Sequence, residues 1–192
     1  MKLEVAIIER KEQLDDLIPF RVENALWGTE KFPPMYGYIG FIPQDAFYLK
    51  LICEEKNPLR VYTEINDPIY RDSVMEAYLM FEPVSSRANE ENYLNFAVNA
   101  NGVLHAEYGS RRMYRSYFTE AERVELKVPV KILEKIYGPL NLGEGSYFTC
   151  NFYKISESKE AEHYASYSPI LSSVPSFHVP EFFADAKIVR QK

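Results

Sequence analysis

Short runs in which apolar and polar residues alternate recur along this chain, with turn-forming residues between them. Alternation with a period of two is typical of β-strands, because successive side chains point to opposite faces of a sheet. Clear runs lie at residues 46–53, 74–81, 93–99 and 145–155. The pair Asn101-Gly102, a strong hairpin signal, follows the third of these runs. The pattern predicts many short strands joined by tight turns.

Only one segment has the spacing of a helix. Val130, Leu133, Ile136 and Tyr137 recur at helical intervals after Pro129, and Gly138-Pro139 would end the helix. Further strands are expected at 3–8, 18–22, 35–42, 59–65, 103–108, 122–130 and 186–189. We therefore predict one all-β domain over residues 1–192, a β-sandwich (jelly-roll or immunoglobulin-like) of about ten strands with one short helix.

The overall charge limits the classes of partner. A net charge of −6 and a pI near 5.2 argue against nucleic acid and against anionic membrane surfaces. Charged residues interrupt the first twelve positions, and no apolar run has the length of a membrane span. We expect a cytoplasmic protein, or a secreted protein whose leader has been removed.

Cysteine and histidine give no sign of a cofactor. Cys53 and Cys150 each lie in an apolar strand-like run, which favours buried free thiols over a disulfide framework. The histidines, at positions 105, 163 and 178, are far apart, and no pair has the spacing of metal ligands. No metal site or cofactor is predicted from these residues.

The segment 66–81 is the first candidate for a binding site. It brings Tyr70, Arg71 and Asp72 to the mouth of a strand on which Glu76 lies between aromatic residues, an arrangement suited to a polar ligand. Asn95 and Asn99 share one face of a later strand, where they serve either a ligand or local backbone groups. Trp27 is either a core anchor or a ligand platform.

A cluster of arginines is the second candidate. Arg111, Arg112 and Arg115 surround Met113 and Tyr114 in an otherwise acidic protein. Their guanidinium groups could donate hydrogen bonds to ligand hydroxyls or carboxylates. Alternatively, they only balance neighbouring acidic residues on the surface.

The C-terminal third resembles the closing motif of proteins similar to family-nine carbohydrate-binding modules, a β-sandwich family first known as appendages of xylanases. Other parts match in the expected order, and the resemblance covers nearly the whole chain. The residues that carry it are Trp27, Asp72-Ser73 leading to Glu76, Tyr93-Leu94-Asn95-Phe96 running to Asn99 and Gly102, Cys150-Asn151-Phe152-Tyr153-Lys154, His163-Tyr164-Ala165-Ser166-Tyr167-Ser168-Pro169-Ile170, and Pro175-Ser176-Phe177-His178-Val179-Pro180-Glu181-Phe182-Phe183.

The resemblance implies a site in which two aromatic rings hold a terminal sugar and polar side chains bind its hydroxyls. By position, Tyr70 and Tyr167 would be the platforms and Asn99 and Asn151 the hydroxyl partners, with nearby polar side chains assisting. The complete predicted set is Tyr70, Arg71, Glu76, Asn99, Arg111, Asn151 and Tyr167. Some members of the family carry structural calcium, whose ligands the resemblance does not place in this chain.

The chain departs from the family at four positions. The family usually has tryptophan where Tyr70 and Tyr167 stand, and tyrosine offers a sugar a smaller platform. Ala97 replaces an arginine of the sugar-binding modules, and Ala184 replaces a glycine that follows the last aromatic residue. These changes concern the site rather than the fold.

The predicted function is non-catalytic binding of a mono- or oligosaccharide, held at a chain end, in the context of polysaccharide degradation. We expect a binding module rather than an enzyme, with no nucleic-acid or membrane partner. One alternative is a glycoside hydrolase, which needs two carboxylates about 5–10 Å apart. Another is a lipocalin-like binder of an apolar ligand, which the Asn-bearing strand faces disfavour. The oligomeric state is left open.

Overall fold

The fold was examined in a computed structural model, which describes residues 2–65, 67–82, 92–111, 114–117 and 126–190. Strands dominate it, as the alternating pattern predicts. The strands are Lys2–Ile7 (β1), Phe20–Val22 (β2), Asn24–Ala25 (β3), Met35–Ile42 (β4), Ala46–Cys53 (β5), Ser73–Met80 (β6), Tyr93–Asn99 (β7), Leu104–Arg111 (β8), Tyr114–Tyr117 (β9), Leu126–Pro129 (β10), Tyr147–Ser156 (β11), His163–Ser166 (β12) and Ala184–Arg190 (β13).

Helical structure is limited to short pieces. Within the described ranges, the α-helix Val130–Tyr137 (α1) stands alone, and it ends at Gly138, whose φ of 82° suits glycine. Three 3₁₀ turns lie at Lys11–Asp16, Ile69–Arg71 and Pro180–Phe182. No helix in the described part of the chain is long and apolar enough to cross a membrane.

The strands form one mixed sheet whose main path has the order β10-β5-β4-β1-β13-β11-β6-β7-β8-β9. The short strands β2, β12 and β3 lie off this path, where β2 pairs with β4, β12 with β11, and β3 with β12. β1 lies between two parallel neighbours, β13 and β4, and the other pairings are antiparallel. Phe47 on β5 packs against Phe148 on β11 with ring centroids 5.3 Å apart, although three strands separate β5 from β11 in the sheet. The sheet therefore curls so that its two parts pack face to face, and the predicted β-sandwich with one short helix is confirmed.

Two apolar clusters cover the two faces of the central strands β6, β7 and β11. The larger lies inside the sandwich and includes Phe41, Phe47 and Phe152. The smaller lies on the outer face and includes Tyr93 and Tyr153. Loops and the segment after β12 cover that outer face, and they leave a cavity above the sheet.

The predicted strand at 59–65 is wrong. This segment is irregular, because the backbone N–H groups of Val61 and Tyr62 donate hydrogen bonds to the carboxylate of Asp72 (2.8 and 3.1 Å) instead of to a neighbouring strand. The strands β3, β9 and β12 were not predicted. Residues 122–125 of the predicted strand 122–130 lie outside the described residues.

The cysteines are free, as predicted. Cys150 is fully buried and Cys53 is partly buried. Burial raises the pKa of the Cys53 thiol to about 11 and also raises the pKa of Cys150, so both are protonated at neutral pH.

Candidate ligand-binding site

A cavity of about 460 Å³ lies on the outer face of β6, β7, β8 and β11. This volume falls within the range of about 300–1,000 Å³ that is typical of small-ligand pockets. The lining residues come from five strands, β6, β7, β8, β11 and β12, and from the segments that connect the strands. They are Trp27, Ile69, Tyr70, Glu76, Tyr78, Asn95, Ala97, His105, Glu107, Ile155, Glu157, Tyr164, Pro175, Ser176, Phe177 and His178.

Strand register builds the polar floor of the cavity. Glu76, Ala97 and His105 face one another across β6, β7 and β8 and form one row. Residues two positions along each strand share the same face, so Tyr78, Asn95 and Glu107 form the next row. The floor therefore presents two carboxylates, an amide, an imidazole and a phenol side by side.

The two carboxylates of the floor, Glu76 and Glu107, each lie beside a polar neighbour. Glu76 is only 5% exposed. His105 Nε2 lies 3.5 Å from Glu107 Oε1, at the distance of an ion pair when the imidazole is protonated. Burial raises the pKa of the neighbouring Tyr153 phenol, and the negative charge of Glu76 raises it further.

Aromatic rings form one wall of the cavity. Trp27 lies against Phe177, with ring centroids 5.3 Å apart, and against Tyr164 at 5.7 Å. Phe177 in turn stacks on Tyr153 of β11 at 4.2 Å. Trp27 Nε1 donates a hydrogen bond to the carbonyl of Ser172 (3.1 Å), so the indole ring is fixed in place. Of the two roles weighed for Trp27, the structure places it at the cavity wall, partly buried.

His178 holds the segment after β12, which carries the Phe177 ring of this wall, against the sheet. Its Nδ1 lies 2.7 Å from the Tyr93 hydroxyl, and its Nε2 lies 3.4 Å from the Tyr78 hydroxyl. Tyr78 and Tyr93 stack on each other with ring centroids 5.7 Å apart. The imidazole thus connects the wall segment to the strands of the floor.

Tyr70 is the most exposed aromatic residue considered for the site. It lies in the 3₁₀ turn Ile69–Arg71, is 45% exposed and lines the cavity. The Arg71 guanidinium is exposed and lies 5.8 Å from the Tyr70 ring centroid. A hydrogen bond with the Tyr62 phenol is the largest contribution that raises the pKa of Arg71. Of the predicted site residues, Tyr70 and Glu76 are thus brought to one cavity, with Arg71 beside Tyr70.

Asn99 lies on the same face of the sheet, opposite Val74 of β6, but it does not line the cavity. Its Nδ2 donates to the Tyr62 carbonyl and to Asp72 Oδ2, both at 2.8 Å. Its Oδ1 accepts hydrogen bonds from the backbone N–H groups of Asn101 and Val103. Buried Asp72 and Asn99 together hold the irregular segment before β6 against the β7–β8 hairpin, which supports Tyr70.

Asn151 is fully buried on β11, also outside the cavity lining. Its Nδ2 donates to the Ser168 carbonyl (3.1 Å), and its Oδ1 accepts from the N–H groups of Ser168 (2.8 Å) and Phe152 (2.9 Å). These contacts attach the segment after β12 to the sheet.

Tyr167 lies on the opposite side of the sheet from Tyr70. It is 8% exposed, and its ring meets those of Phe20 and Phe152 edge to face at 5.8 and 5.7 Å within the sandwich core. The structure therefore does not bring the two predicted platforms together. Arg111 belongs to β8, but its side chain and the rest of the predicted arginine cluster lie outside the described side chains.

His105, Glu107, Phe177 and His178 line the cavity but were not predicted to bind a ligand, and Asn95, for which a ligand was one of two roles left open, lines it as well. A signal for two of them was present in the sequence. A tight turn at Asn101-Gly102 brings the residues before and after it into cross-strand pairs, so His105 and Glu107 could have been placed beside Ala97 and Asn95. The wall residues come from a long irregular segment, for which no comparable rule exists.

No group of three or more His, Cys, Asp or Glu side chains comes together as a metal site in the part of the chain that the structure describes. Calcium also accepts backbone and amide oxygens as ligands, so the structural calcium that the family resemblance allows stays a prediction. The cavity instead offers hydrogen-bonding groups on its floor and apolar ring faces on its wall. Such a site suits a small polar ligand that also has an apolar face.

Comparisons with known proteins agree with this description. The family model described as carbohydrate-binding family 9 matches residues 11–136 and 119–188. Comparison of the sequence with curated proteins finds no match.

Solved structures share the fold at low sequence identity. A putative carbohydrate-binding protein from Bacteroides uniformis superposes with a TM-score of 0.76 at 18% identity, covering 97% of this chain and 98% of that one. A family 9 carbohydrate-binding module from Caldicellulosiruptor kristjanssonii was solved with cellotriose (TM-score 0.62, 10% identity, 100% and 95% coverage). A family 9 module from the same organism in complex with glucose matches similarly, with a TM-score of 0.61, 11% identity and coverage of 100% of this chain and 97% of that one. Because the family model matches far more than half of the sequence, this chain belongs to carbohydrate-binding family 9.

Proposed function

We propose that this protein binds carbohydrate without catalysis and that the cavity on the outer sheet face holds the sugar. The observation that carries the proposal is the placement of aromatic rings above a polar floor in one cavity. Membership of carbohydrate-binding family 9 supports it. The complexes of the Caldicellulosiruptor module with cellotriose and glucose give it a ligand class to test.

The chemistry of the cavity fits a pyranose ring. A pyranose has apolar C–H faces that pack on aromatic rings, and hydroxyls that both donate and accept hydrogen bonds. In this proposal Trp27 and Phe177 supply one apolar surface and Tyr70 the other. The carboxylates of Glu76 and Glu107 accept from hydroxyls, while Asn95 both donates and accepts.

The wider proposal is that the site takes the end of a sugar chain and that the protein has a role in polysaccharide use. In it, Tyr70 and Glu76 bind the sugar and Arg71 assists at the rim. Ligand-binding roles for Asn99, Asn151, Tyr167 and Arg111 stay predictions. The buried contacts of Asn99, Asn151 and Tyr167 show that these three residues have a structural role.

Glycoside hydrolysis is the second candidate, because Glu76 and Glu107 share the cavity. Hydrolysis would require one of them to protonate the glycosidic oxygen while the other attacks or activates water. An apolar ligand is a poorer fit, since it would leave the polar groups of the floor without partners.

Calorimetric titration with glucose and cellotriose tests the proposal. We expect saturable binding by the natural sequence, with no release of reducing ends during long incubation. Tyr70→Ala removes one platform and should weaken binding about tenfold, which corresponds to ~1.4 kcal/mol. Tyr147→Ala is the matched control, because Tyr147 is also an exposed tyrosine beside cations but lies outside the cavity.

Three results would contradict the proposal. The first is no binding by any neutral sugar in a broad panel, and the second is equal loss in Tyr70→Ala and Tyr147→Ala. The third is release of reducing ends that Glu76→Gln abolishes, which would establish the hydrolase instead.

A further inference from the structure

We infer that the site takes a sugar that carries an apolar aglycone, such as the alkyl or aryl group of a glycoside, and that this group packs on an exposed apolar surface beside the cavity. This inference rests on the proposed function and names the class of ligand that the same site takes. The surface, which we call the apolar patch, belongs to the segment after β12 and consists of Pro169, Leu171, Val174 and Pro175.

The residues of the apolar patch are exposed to an extent that their chemistry does not favour. Leu171 is 84% exposed and Val174 is 68% exposed, and the two prolines are also exposed. Single apolar side chains are common on protein surfaces, but here four apolar residues are exposed within one short segment. Apolar residues grouped in this way are typical of a surface that another molecule covers.

The segment that carries the patch is also free of full charges. Residues 163–180 include no Asp, Glu, Lys or Arg, although these residue types make up 26% of the chain. Removal of water from a charged side chain is far more costly than removal of water from an apolar one. An apolar group can therefore cover this segment without the desolvation of a charge on it.

The patch is continuous with the cavity. Pro175 belongs both to the patch and to the cavity lining. Trp27 also lines the cavity, and its Nε1 donates a hydrogen bond to the carbonyl of Ser172, which lies between Leu171 and Val174 (3.1 Å). Successive Cα atoms are about 3.8 Å apart, so those of Leu171 and Val174 lie within roughly 4 and 8 Å of the Ser172 Cα. A short apolar chain on a sugar that packs against Trp27 can reach the patch.

Hydrogen bonds order the turn that carries the patch before any ligand binds. Ser172 Oγ donates to the Val174 carbonyl (3.2 Å) and accepts from the Val174 N–H (3.1 Å). Trp27, to which this turn is attached, has a φ of 49°, in the left-handed region that a bulky residue adopts only where its surroundings hold it. An ordered surface loses less conformational entropy on binding than a flexible one, which favours affinity.

Glycosides of one sugar with aglycones of different length test the inference. We expect calorimetric titration to show about tenfold tighter binding of hexyl β-glucopyranoside than of methyl β-glucopyranoside, a difference of ~1.4 kcal/mol. The heat-capacity change of binding should also be more negative for the hexyl compound, because it buries more apolar surface. Hexan-1-ol, which has the chain without the sugar, should show no saturable binding over the same concentrations. The corresponding β-galactosides and β-xylosides extend the comparison to other sugars.

Variants of the protein locate the effect. Leu171→Ser and Val174→Ser remove apolar surface, and each should reduce the preference for the hexyl chain from about tenfold to about threefold or less. Leu171→Met keeps an apolar side chain and should retain most of the preference. Ile18→Ser is the matched control, because Ile18 is 92% exposed and lies outside the cavity lining, so it should leave the preference unchanged.

The outcomes separate this inference from the proposed function. Equal affinities for methyl and hexyl glycosides would overturn the inference while leaving carbohydrate binding intact. A preference that Ile18→Ser reduces as much as Leu171→Ser, or hexan-1-ol that binds as tightly as the hexyl glycoside, would show a general affinity for apolar chains and would also overturn it. A dimer in sedimentation that Leu171→Ser dissociates would assign the patch to a second copy of the chain instead. Absence of binding by every glycoside would overturn both proposals.

Discussion

Asn99 and Asn151 show how the surroundings of a side chain decide its use. Both lie on the outer face of the sheet, yet their amides form hydrogen bonds with backbone groups of the segments that pack over that face. Asn95, two positions before Asn99 on the same strand, instead lines the cavity. Residue type and strand face therefore indicated correctly that these asparagines lie on the outer face of the sheet. The segment that packs over each position determines which groups its amide contacts.

Tyr167 offers a test of structural against ligand-binding use. Its ring packs edge to face against the rings of both Phe20 and Phe152. Tyr167→Phe keeps these ring contacts, so we expect sugar affinity within about twofold of the natural protein, a change of ~0.4 kcal/mol. Tyr167→Ala leaves a cavity in the core and should lower the free energy of unfolding by about 3–5 kcal/mol.

Calorimetry and urea denaturation of both Tyr167 variants make the measurement. A stable Tyr167→Ala protein that no longer binds sugar would contradict this assignment and restore Tyr167 as a platform.

Strand β11 serves a different purpose on each face. Tyr153 and Ile155 support the cavity side, while Lys154 between them points to the other face and is 1% exposed. Lys154 Nζ donates to Ser73 Oγ (2.6 Å) and to the Ile155 carbonyl (3.0 Å), and lies 3.1 Å from the Glu55 carboxylate. Burial lowers the pKa of Lys154, while Glu55 opposes that shift. The ion pair fastens the segment after β5 to the central strands.

Removal of the Glu55 carboxylate should lower the free energy of unfolding more than replacement of the buried Lys154 side chain. Glu55→Gln would leave Lys154 as a buried charge without a counter-ion, and we expect a loss of about 3–5 kcal/mol in the free energy of unfolding. Lys154→Met has a similar length and leaves only the Glu55 carboxylate without its partner; because that side chain is 15% exposed and can be hydrated, the cost should be clearly smaller.

Chemical denaturation of both variants provides the measurement. Asp15→Asn is the control, because it breaks the more exposed ion pair with Lys50 and should change stability by less than about 1 kcal/mol. Equal costs for Glu55→Gln and Asp15→Asn would show that the burial of Lys154 has no energetic consequence.

The two parts of the sheet are joined by one strand, β13, which we call the junction. β13 pairs in parallel with β1 over six residues and antiparallel with β11, so it joins β10-β5-β4-β1 to the part of the sheet that carries the cavity. Ala184, Ala186 and Ile188 of β13 are buried in the main core. The cavity therefore depends on a strand that contributes no residue to its lining.

Truncation tests this dependence. A chain ending at Phe183 would lack β13 and expose the edges of β1 and β11, so we expect loss of the cooperative thermal transition in calorimetry. A chain ending at Arg190 keeps β13 and should unfold like the natural protein. A sharp transition near the natural temperature in the shorter chain would mean that the two parts of the sheet hold together without the junction.

Much of the fold could be predicted because alternation marks a strand wherever one face is buried. The predicted strands 35–42, 46–53 and 93–99 coincide with β4, β5 and β7. Segment 59–65 also alternates, but its backbone groups bond to Asp72, a partner that no local pattern reveals. Similarly, Glu76 and Tyr70 could be placed from local context, whereas Phe177 and His178 reach the site through long-range packing.

The parallel pairing of β1 with β13 also bears on how the protein is made. Residues 2–7 leave the ribosome early and must wait for residues 185–190, the last strand to emerge. During that interval one edge of β1 has no strand to pair with, and contacts of such high sequence separation form slowly. The nascent chain should accordingly expose the unpaired edge of β1 until β13 has emerged and can pair with it.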